Sequence, residues 1–209
     1  MCFKEIVKLY RKFLKRIVDI IVSFFGLFIL FIPMIIIGFL IKLDSKGEVF
    51  FLQKRLGKNK KEFKIYKFRT MVPNAFAIGG TNTYDGDPRI TRVGKILRKT
   101  SLDELPQLLN ILKGEMSIIG PRPILPFEEY EVANPEAYSE RYTVRPGLFC
   151  TVDLDLRASA SREKQFEMDK EYCKNINFFL DFSVFFGVIK TVVTGANVYK
   201  TPKKKKCVE

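Results

Sequence analysis

Residues 17–41 read IVDIIVSFFGLFILFIPMIIIGFLI, with Asp19 as the sole charge. A helix of that length reaches roughly 37 Å, enough to cross a bilayer core with tilt. No small-residue cleavage site follows, so a removable signal peptide is a poor fit. Both flanks are basic: Lys4, Lys8, Arg11, Lys12, Lys15 and Arg16 before it, Lys42, Lys46, Lys54, Arg55, Lys58, Lys60 and Lys61 after it. The positive-inside rule then places both ends in the cytoplasm. One straight helix does not satisfy that, whereas a re-entrant helix broken at Pro33 does. The residues by themselves leave the hairpin and a kinked span both open, because proline is tolerated in membrane helices. Asp19 reads either as an incidental charge near the interface or as a partner for Arg16.

Beyond the anchor the period changes. Val49–Leu52 predicts a short buried strand, Leu56-Gly57-Lys58-Asn59 a turn, and Phe63, Ile65 and Phe68 with interleaved charges a second strand, giving a hairpin. Lys67 and Arg69 would share a face, as phosphate ligands or as a solvated edge. Residues 73–88, rich in Gly, Pro, Asn and Asp, predict a loop in which Asp85 and Asp87 serve turn geometry. Ile90, Val93 and Leu97 predict a basic amphipathic helix over 89–99. A polar helical segment covers 126–142 with a break near Asn134-Pro135, and another helix covers 162–175. The apolar stretch from Ile176 to Ile189 is short for a span and suits a helix lying in the interface or a core helix.

The chemistry converges on Ser101-Leu102-Asp103-Glu104-Leu105-Pro106-Gln107. Leu105, Leu108, Leu109 and Leu112 form one helical face, and Gly114 ends it. The acidic pair stands where that helix begins, with Arg92, Lys95, Arg98 and Lys99 upstream and Gly120-Pro121-Arg122-Pro123 downstream. Structurally, Ser101 and Glu104 form a capping box, with Asp103 favouring the helix dipole. In that register Pro106 deletes a wanted bond; with Asp103 as N-cap it deletes none. Functionally, an ionised Asp103 in cationic surroundings is a nucleophile for phosphorus, and Glu104 a metal-binding neighbour.

Composition narrows the choice. Lys+Arg outnumber Asp+Glu 36 to 23, which points to a polyanionic partner or an anionic membrane surface. The 20 Phe and the apolar block favour the membrane; no recognised module supports nucleic-acid binding. There is no His, so acid–base and metal chemistry falls to carboxylates, Lys, Tyr or Cys. Cys2, Cys150, Cys173 and Cys207 lack metal-site spacing and read as reduced thiols. The tail Lys203–Lys206 is a charge run, disordered or in contact with anionic lipid.

In combination, the apolar block with its proline, Gln53-Lys54-Arg55-x-Gly57, Lys67-Phe68-Arg69-Thr70-Met71, Arg98 before Ser101–Gln107, Gly120–Pro123 and Arg145-Pro146-Gly147 resemble the monotopic phosphoglycosyl transferases, bacterial sugar transferases that start lipid-linked glycan assembly. The resemblance runs roughly from Lys15 to Gly195. It implies transfer of a sugar-1-phosphate from a nucleoside diphosphate sugar, usually a UDP-sugar, to polyprenyl (undecaprenyl) phosphate, with UMP leaving. It implies Mg2+ and an aspartyl-phosphosugar intermediate on Asp103, with Glu104 binding metal. Lys67, Arg98, Arg122, Arg145 and Asp169 match further polar site positions, and Arg157 survives in an ungapped alignment. The family anchor is a re-entrant helix, which favours the break at Pro33. Two departures stand out: Ile32 replaces the usual Ser before the proline, and Leu148–Arg157 replaces a Thr-Gly-Trp-Ala-Gln-Val loop, which puts sugar identity in doubt.

The expected fold is an α-rich α/β one: a small cytosolic catalytic domain with a short β-hairpin, interfacial amphipathic helices and the N-terminal re-entrant helix. The expected organisation is a basic segment at 1–16, the membrane helix at 17–41, the catalytic domain at 42–198 and a basic tail at 199–209. The expected location is the bacterial inner membrane, with the catalytic domain and both termini cytoplasmic. Partners are the UDP-sugar, polyprenyl phosphate and anionic inner-leaflet lipids, without nucleic acid. The alternative is a catalytically altered membrane scaffold of a polysaccharide assembly system, which the changed loop after Gly147 would suit.

Overall fold

The computed structural model describes residues 3–80, 83–84, 86–155 and 160–194. Arg157, Asp85, Cys2, Cys207 and the basic tail lie outside the described residues. The chain opens as one long helix. α1 (Phe3–Leu9) passes through a π-helical turn, Tyr10–Leu14, into α2 (Lys15–Asp44). Helical structure runs through Pro33 without interruption. The proline therefore removes one rung of the ladder, and a bend rather than a gap is what it can supply there.

α2 has two faces. Phe24, Phe25, Phe28, Ile29, Phe31, Ile32, Ile35, Ile36 and Phe39 are exposed. On the other side Asp19, Ser23 and Ile41 are buried, Leu27 and Leu30 pack on one core cluster, and Met34 and Ile37 pack on another. These positions recur every three or four residues, so they form one stripe. Gly26 belongs to it: a Cβ there would stand 3.2 Å from a methyl of Leu108. Stretches of α2 on both sides of Pro33 thus lie against the globular part, and the opposite face is left apolar and uncovered.

Asp19 is more than an incidental charge. It is buried, and Oδ1 accepts hydrogen bonds from Ser117 Oγ at 3.0 Å and the Ile118 amide at 2.9 Å. Arg16 reaches elsewhere and donates to the carbonyls of Ile111 at 2.7 Å and Leu112 at 3.1 Å. At the far end Arg69 is buried and donates to the carbonyls of Lys46 and Ser45, both at 2.7 Å, and to Ser45 Oγ at 3.0 Å. It closes the C-terminus of α2, where orphan carbonyls and the dipole both favour a cation. Arg69 is therefore not part of a solvated strand edge.

β1 (Phe50–Leu56) and β2 (Glu62–Phe68) form an antiparallel hairpin, Phe50 opposite Phe68 and Leu56 opposite Glu62. The strand expected at 49–52 is present but not buried: Phe50, Phe51 and Leu52 are each about half exposed, 44–48%. A two-stranded ribbon has one covered side, and here Phe63, Ile65 and Phe68 of β2 take it. α3 (Ala75–Gly79) and α4 (Arg92–Thr100) follow. Thr91 caps α4 by accepting from the Gly94 amide at 3.0 Å. A Cβ at Gly94 would stand 2.1 Å from the Thr70 carbonyl oxygen, so only glycine lets α4 sit this close to the exit of β2.

α5 (Gln107–Lys113) ends on Gly114 at φ +85°, in the left-handed C′ geometry expected. β3 (Ser117–Ile119) and β4 (Gly147–Phe149) pair in parallel. The predicted helix over 126–142 is two 3-10 segments, Pro126–Glu131 and Pro135–Tyr142, divided near Asn134-Pro135 as expected. The prolines and the short polar spacing leave no continuous i→i+4 ladder. α6 (Val152–Asp155), α7 (Arg162–Asn175) and α8 (Phe178–Thr194) complete the described chain. α8 buries Asp181, Val184 and Val188 and exposes Phe178, Phe179, Phe182 and Phe186. Asp181 accepts from Tyr10 Oη at 2.6 Å and Tyr172 Oη at 2.7 Å and pairs with Lys15, which ties α8 and α7 to the π-helical turn. The main core gathers Ile65, Leu108, Ile111, Met116, Ile118, Tyr172 and Val184 beneath the first half of α2.

Candidate active site

The acidic pair lies on a 3-10 turn, Leu102–Glu104, between α4 and α5. The capping box expected here does not form: Ser101 makes no side-chain cap. Pro106 precedes the first residue of α5, so it costs that helix no hydrogen bond. Ser101 adopts φ +57°, a left-handed conformation uncommon for a residue with a Cβ. It reverses the chain at the end of α4 and turns Asp103 and Glu104 into a cavity of about 540 Å³.

Lys67, Arg55, Arg98 and Arg122 line that cavity with the pair. Lys67 Nζ lies 2.6 Å from Glu104 Oε1. Arg98 Nε donates to Thr70 Oγ1 at 2.9 Å, a contact that the tight seat of Gly94 makes reachable. Arg122 donates to Asp153 Oδ1 at 2.7 Å, and that carboxylate raises its pKa. Arg55 is fixed by the Pro123 carbonyl at 3.1 Å and Gln53 Oε1 at 2.7 Å, and burial pulls its pKa down to about 10. Its buried Nε has no hydrogen-bond partner among the described residues. Apolar side chains line the same cavity: Phe51, Phe68, Leu148, Phe149, Val188 and Val192.

Asp103 is half-buried. Burial pushes its carboxyl up to about 6, the neighbouring Glu104 charge adds to this, and the charges of Lys67 and Arg98 oppose it. A carboxylate with that proton affinity is a better nucleophile than an exposed one and is still mostly ionised at neutral pH. Two adjacent carboxylates, three or more cations and an apolar wall in one cavity can hold a diphosphate beside a lipid chain.

A family model described as bacterial sugar transferase matches residues 10–195. The chain belongs to the bacterial sugar transferase family. The chain is 41% identical over 188 residues to the UDP-N-acetylgalactosamine-undecaprenyl-phosphate N-acetylgalactosaminephosphotransferase of Aeromonas hydrophila, covering 88% of this chain and 44% of that protein. It is 40% identical over 196 residues to the exopolysaccharide production protein PSS of Rhizobium leguminosarum bv. phaseoli, covering 87% and 96%. It is 36% identical over 183 residues to the UDP-glucose:undecaprenyl-phosphate glucose-1-phosphate transferase of Escherichia coli, covering 84% and 39%. The chain thus spans less than half of the Aeromonas and Escherichia proteins and nearly all of the Rhizobium one.

Of the residues singled out in the sequence, the cavity gathers Asp103, Glu104, Lys67, Arg98 and Arg122. Asp169 stands behind it, fully buried: Oδ2 accepts from Arg141 at 2.8 Å and Oδ1 from the Arg122 amide at 3.3 Å. Burial pushes that carboxyl up to about 6 against the pull of Arg141. Arg145 lines a second cavity and donates to the Gly114 carbonyl at 2.7 Å, closing the end of α5. Pro33 lies within α2. Arg55 and Gln53 are cavity residues that sequence reasoning did not single out, and Asp153 of the altered loop, which the sequence reads either as a substrate contact or as flanking a turn, lines the cavity too. The first two stood in a quoted motif without an assigned role. Asp153 is both a turn residue, accepting from the Cys150 amide at 3.1 Å, and the partner of Arg122.

Proposed function

We propose that this sugar transferase moves a sugar-1-phosphate from a UDP-sugar to undecaprenyl phosphate, in two displacements at one phosphorus. An Asp103 carboxylate oxygen attacks the β-phosphorus of the donor. The bond from that phosphorus to the bridging oxygen breaks, and UMP leaves with the electron pair. The acyl phosphate so formed carries the sugar. A phosphate oxygen of undecaprenyl phosphate then attacks the same phosphorus, the acyl phosphate bond breaks, and Asp103 returns as a carboxylate beside an undecaprenyl diphosphate sugar. The observation that carries the reading is the location of Asp103, a carboxyl raised to about 6 on a turn that faces Lys67, Arg98 and Arg122. The names of the relatives supply the substrate class.

The residues divide the work. Lys67 and Arg98 set the charge around Asp103, while Arg122 and Arg55 take diphosphate oxygens. Phe51, Phe68, Leu148 and Val192 offer the first isoprenes an apolar wall. Magnesium fits the donor set, because this ion is held by one or two carboxylates plus substrate phosphates rather than by a protein cage. Among the described residues no three-ligand group exists, and the Asp103-Glu104 pair is the place where such an ion would bind. When bound it would supply charge neutralisation on the diphosphate.

The same reading places α2 in the inner leaflet as a re-entrant helix, entering and leaving by the cytoplasmic face. It is supported by the stripe from Asp19 to Ile41, which lies against the globular part before and after Pro33. The test of the reaction is trapping. Incubation with UDP-sugar labelled in the β-phosphate, with Mg2+ and no acceptor, should leave label on the protein, and Asp103→Asn should leave none. Label of equal intensity on the variant would refute the role of Asp103.

A further inference from the structure

The second cavity, about 250 Å³, lies away from the acidic pair, at the foot of α2. Arg11, Lys12, Lys15 and Arg16 line it from the π-helical turn and the start of α2, at i, i+1, i+4 and i+5 on one face. Lys58 and Arg145 line it from the hairpin turn and the end of the 3-10 region. Lys15 pairs with Asp181, and Asp19 is the one carboxylate among the lining residues. Arg11, Lys12, Arg16, Lys58 and Arg145 form no ion pair with a carboxylate among the described residues. Arg16 and Arg145 are locked toward the end of α5 by their carbonyl contacts, so this charge is held in place. Burial and the nearby Arg145 charge lower the Arg16 pKa against the pull of Asp19. Five cations without an ion-pair partner, facing the single lining carboxylate of Asp19 around one open concavity, repel one another, and an anion entering it relieves that repulsion.

We propose that this cavity is a binding site for the phosphate headgroup of an anionic glycerophospholipid, separate from the transferase cavity. The commitment to a lipid comes from its place. The cavity is lined by residues of the 11–19 stretch, and the exposed apolar side chains Phe13, Leu14, Ile17 and Val18 lie among them in sequence and lead into the exposed face that runs on from Ile20. A headgroup phosphate seated there leaves its acyl chains against that face. The lipid assignment rests on the membrane location proposed above for α2 and not on the chemistry of Asp103.

The test uses the full chain in detergent micelles doped with phosphatidylglycerol or phosphatidylcholine, with retained lipid counted by native mass spectrometry. The parent protein should retain one phosphatidylglycerol in clear preference to phosphatidylcholine. Each basic residue removed should cost ~5-fold in that preference, so Arg11→Gln/Lys12→Gln/Lys58→Gln should abolish it. The exposed single changes Lys12→Gln and Lys58→Gln provide a graded series should the triple variant fail to fold. Asp103→Asn should retain phosphatidylglycerol in full, so failure of the transferase reading and failure of this site appear in different variants. Equal retention of the two lipids by the parent, or unchanged preference in the charge variants, overturns the site. Inorganic phosphate binding as tightly as the lipid, or loss of undecaprenyl phosphate in place of phosphatidylglycerol from the charge variants, overturns the headgroup assignment.

Discussion

Replacing Asp103 by Asn should stabilise the protein while ending its activity, and pH should decide how much. The carboxyl is raised from 3.8 to about 6, first by burial and then by Glu104, against Lys67 and Arg98. A raised carboxyl favours the protonated form in the folded state. Ionising it therefore costs folding free energy. The cost is absent below the unfolded value near 3.8, grows as pH rises toward 6, and is complete above that. At ~1.4 kcal/mol per pH unit the full penalty is at most about 3 kcal/mol, and partial exposure reduces it to roughly 1–3 kcal/mol. Asn has the shape of the protonated acid and never ionises. In a chain of this size ~1 kcal/mol shifts Tm by ~2–4 °C, so the gain near pH 7.5 should be a few degrees or more.

The measurement is thermal unfolding in detergent with EDTA, without donor, followed by circular dichroism because the chain has no Trp. The quantity read is the difference in Tm between variant and parent at each pH, in which groups common to both, Asp169 among them, cancel to first order. The difference should be positive near pH 7.5 and vanish near pH 4. A difference that stays flat across that range, or a variant less stable than its parent at pH 7.5, would refute the idea that Asp103 is held against the cost of its burial.

Two further outcomes follow from the contacts. Arg69→Lys should destabilise nearly as much as Arg69→Met, by about 2–3 kcal/mol, because the fork onto the Lys46 and Ser45 carbonyls is lost in both; recovery of stability and donor KM by Lys alone would instead mark Arg69 as a simple phosphate cation. Single Cys tags at Lys12 and Ser45, on either side of α2, should both react with membrane-impermeant maleimide only from the cytoplasmic side; labelling of either one from the periplasm would replace the re-entrant helix with a span.

What the residue pattern disclosed follows from the range of its interactions. α7 was legible at both ends because its signals are local: Ser161 accepts from the Lys164 amide at 3.2 Å, and the charged run stops at Asn175. α5 was legible from its leucines and Gly114. The turn holding the acidic pair was not. Ser101-x-x-Glu104 is a good capping sequence, but Pro106 sets the start of α5 at Gln107 and leaves the preceding residues as a 3-10 turn. Long-range partners left no local trace. Asp19 meets Ser117 and Ile118 across nearly a hundred residues, and β3 pairs with β4 through three residues each. The same holds for Arg122, whose cavity position depends on Asp153 and Asp169 from the altered loop and from α7.

Four consecutive residues at the exit of β2 couple α2 to the acidic pair. Lys67 holds Glu104, Phe68 fills the cluster that contains Ile41, Arg69 closes the C-terminus of α2, and Thr70 holds Arg98. The Thr70 carbonyl is also the surface on which Gly94 seats α4. A shift of the α2 end by an ångström would be carried through Arg69 to Lys67 and Arg98 together, because extended backbone between them has little slack. Charge around Asp103 is thereby tied to how α2 sits. On the proposed two-displacement course a polar donor and a greasy acceptor meet at one phosphorus, and this arrangement would set Asp103 at a fixed depth relative to the apolar face of the helix. Loosening that clamp at Arg69 is thus expected to move the Asp103 pKa as well as the stability.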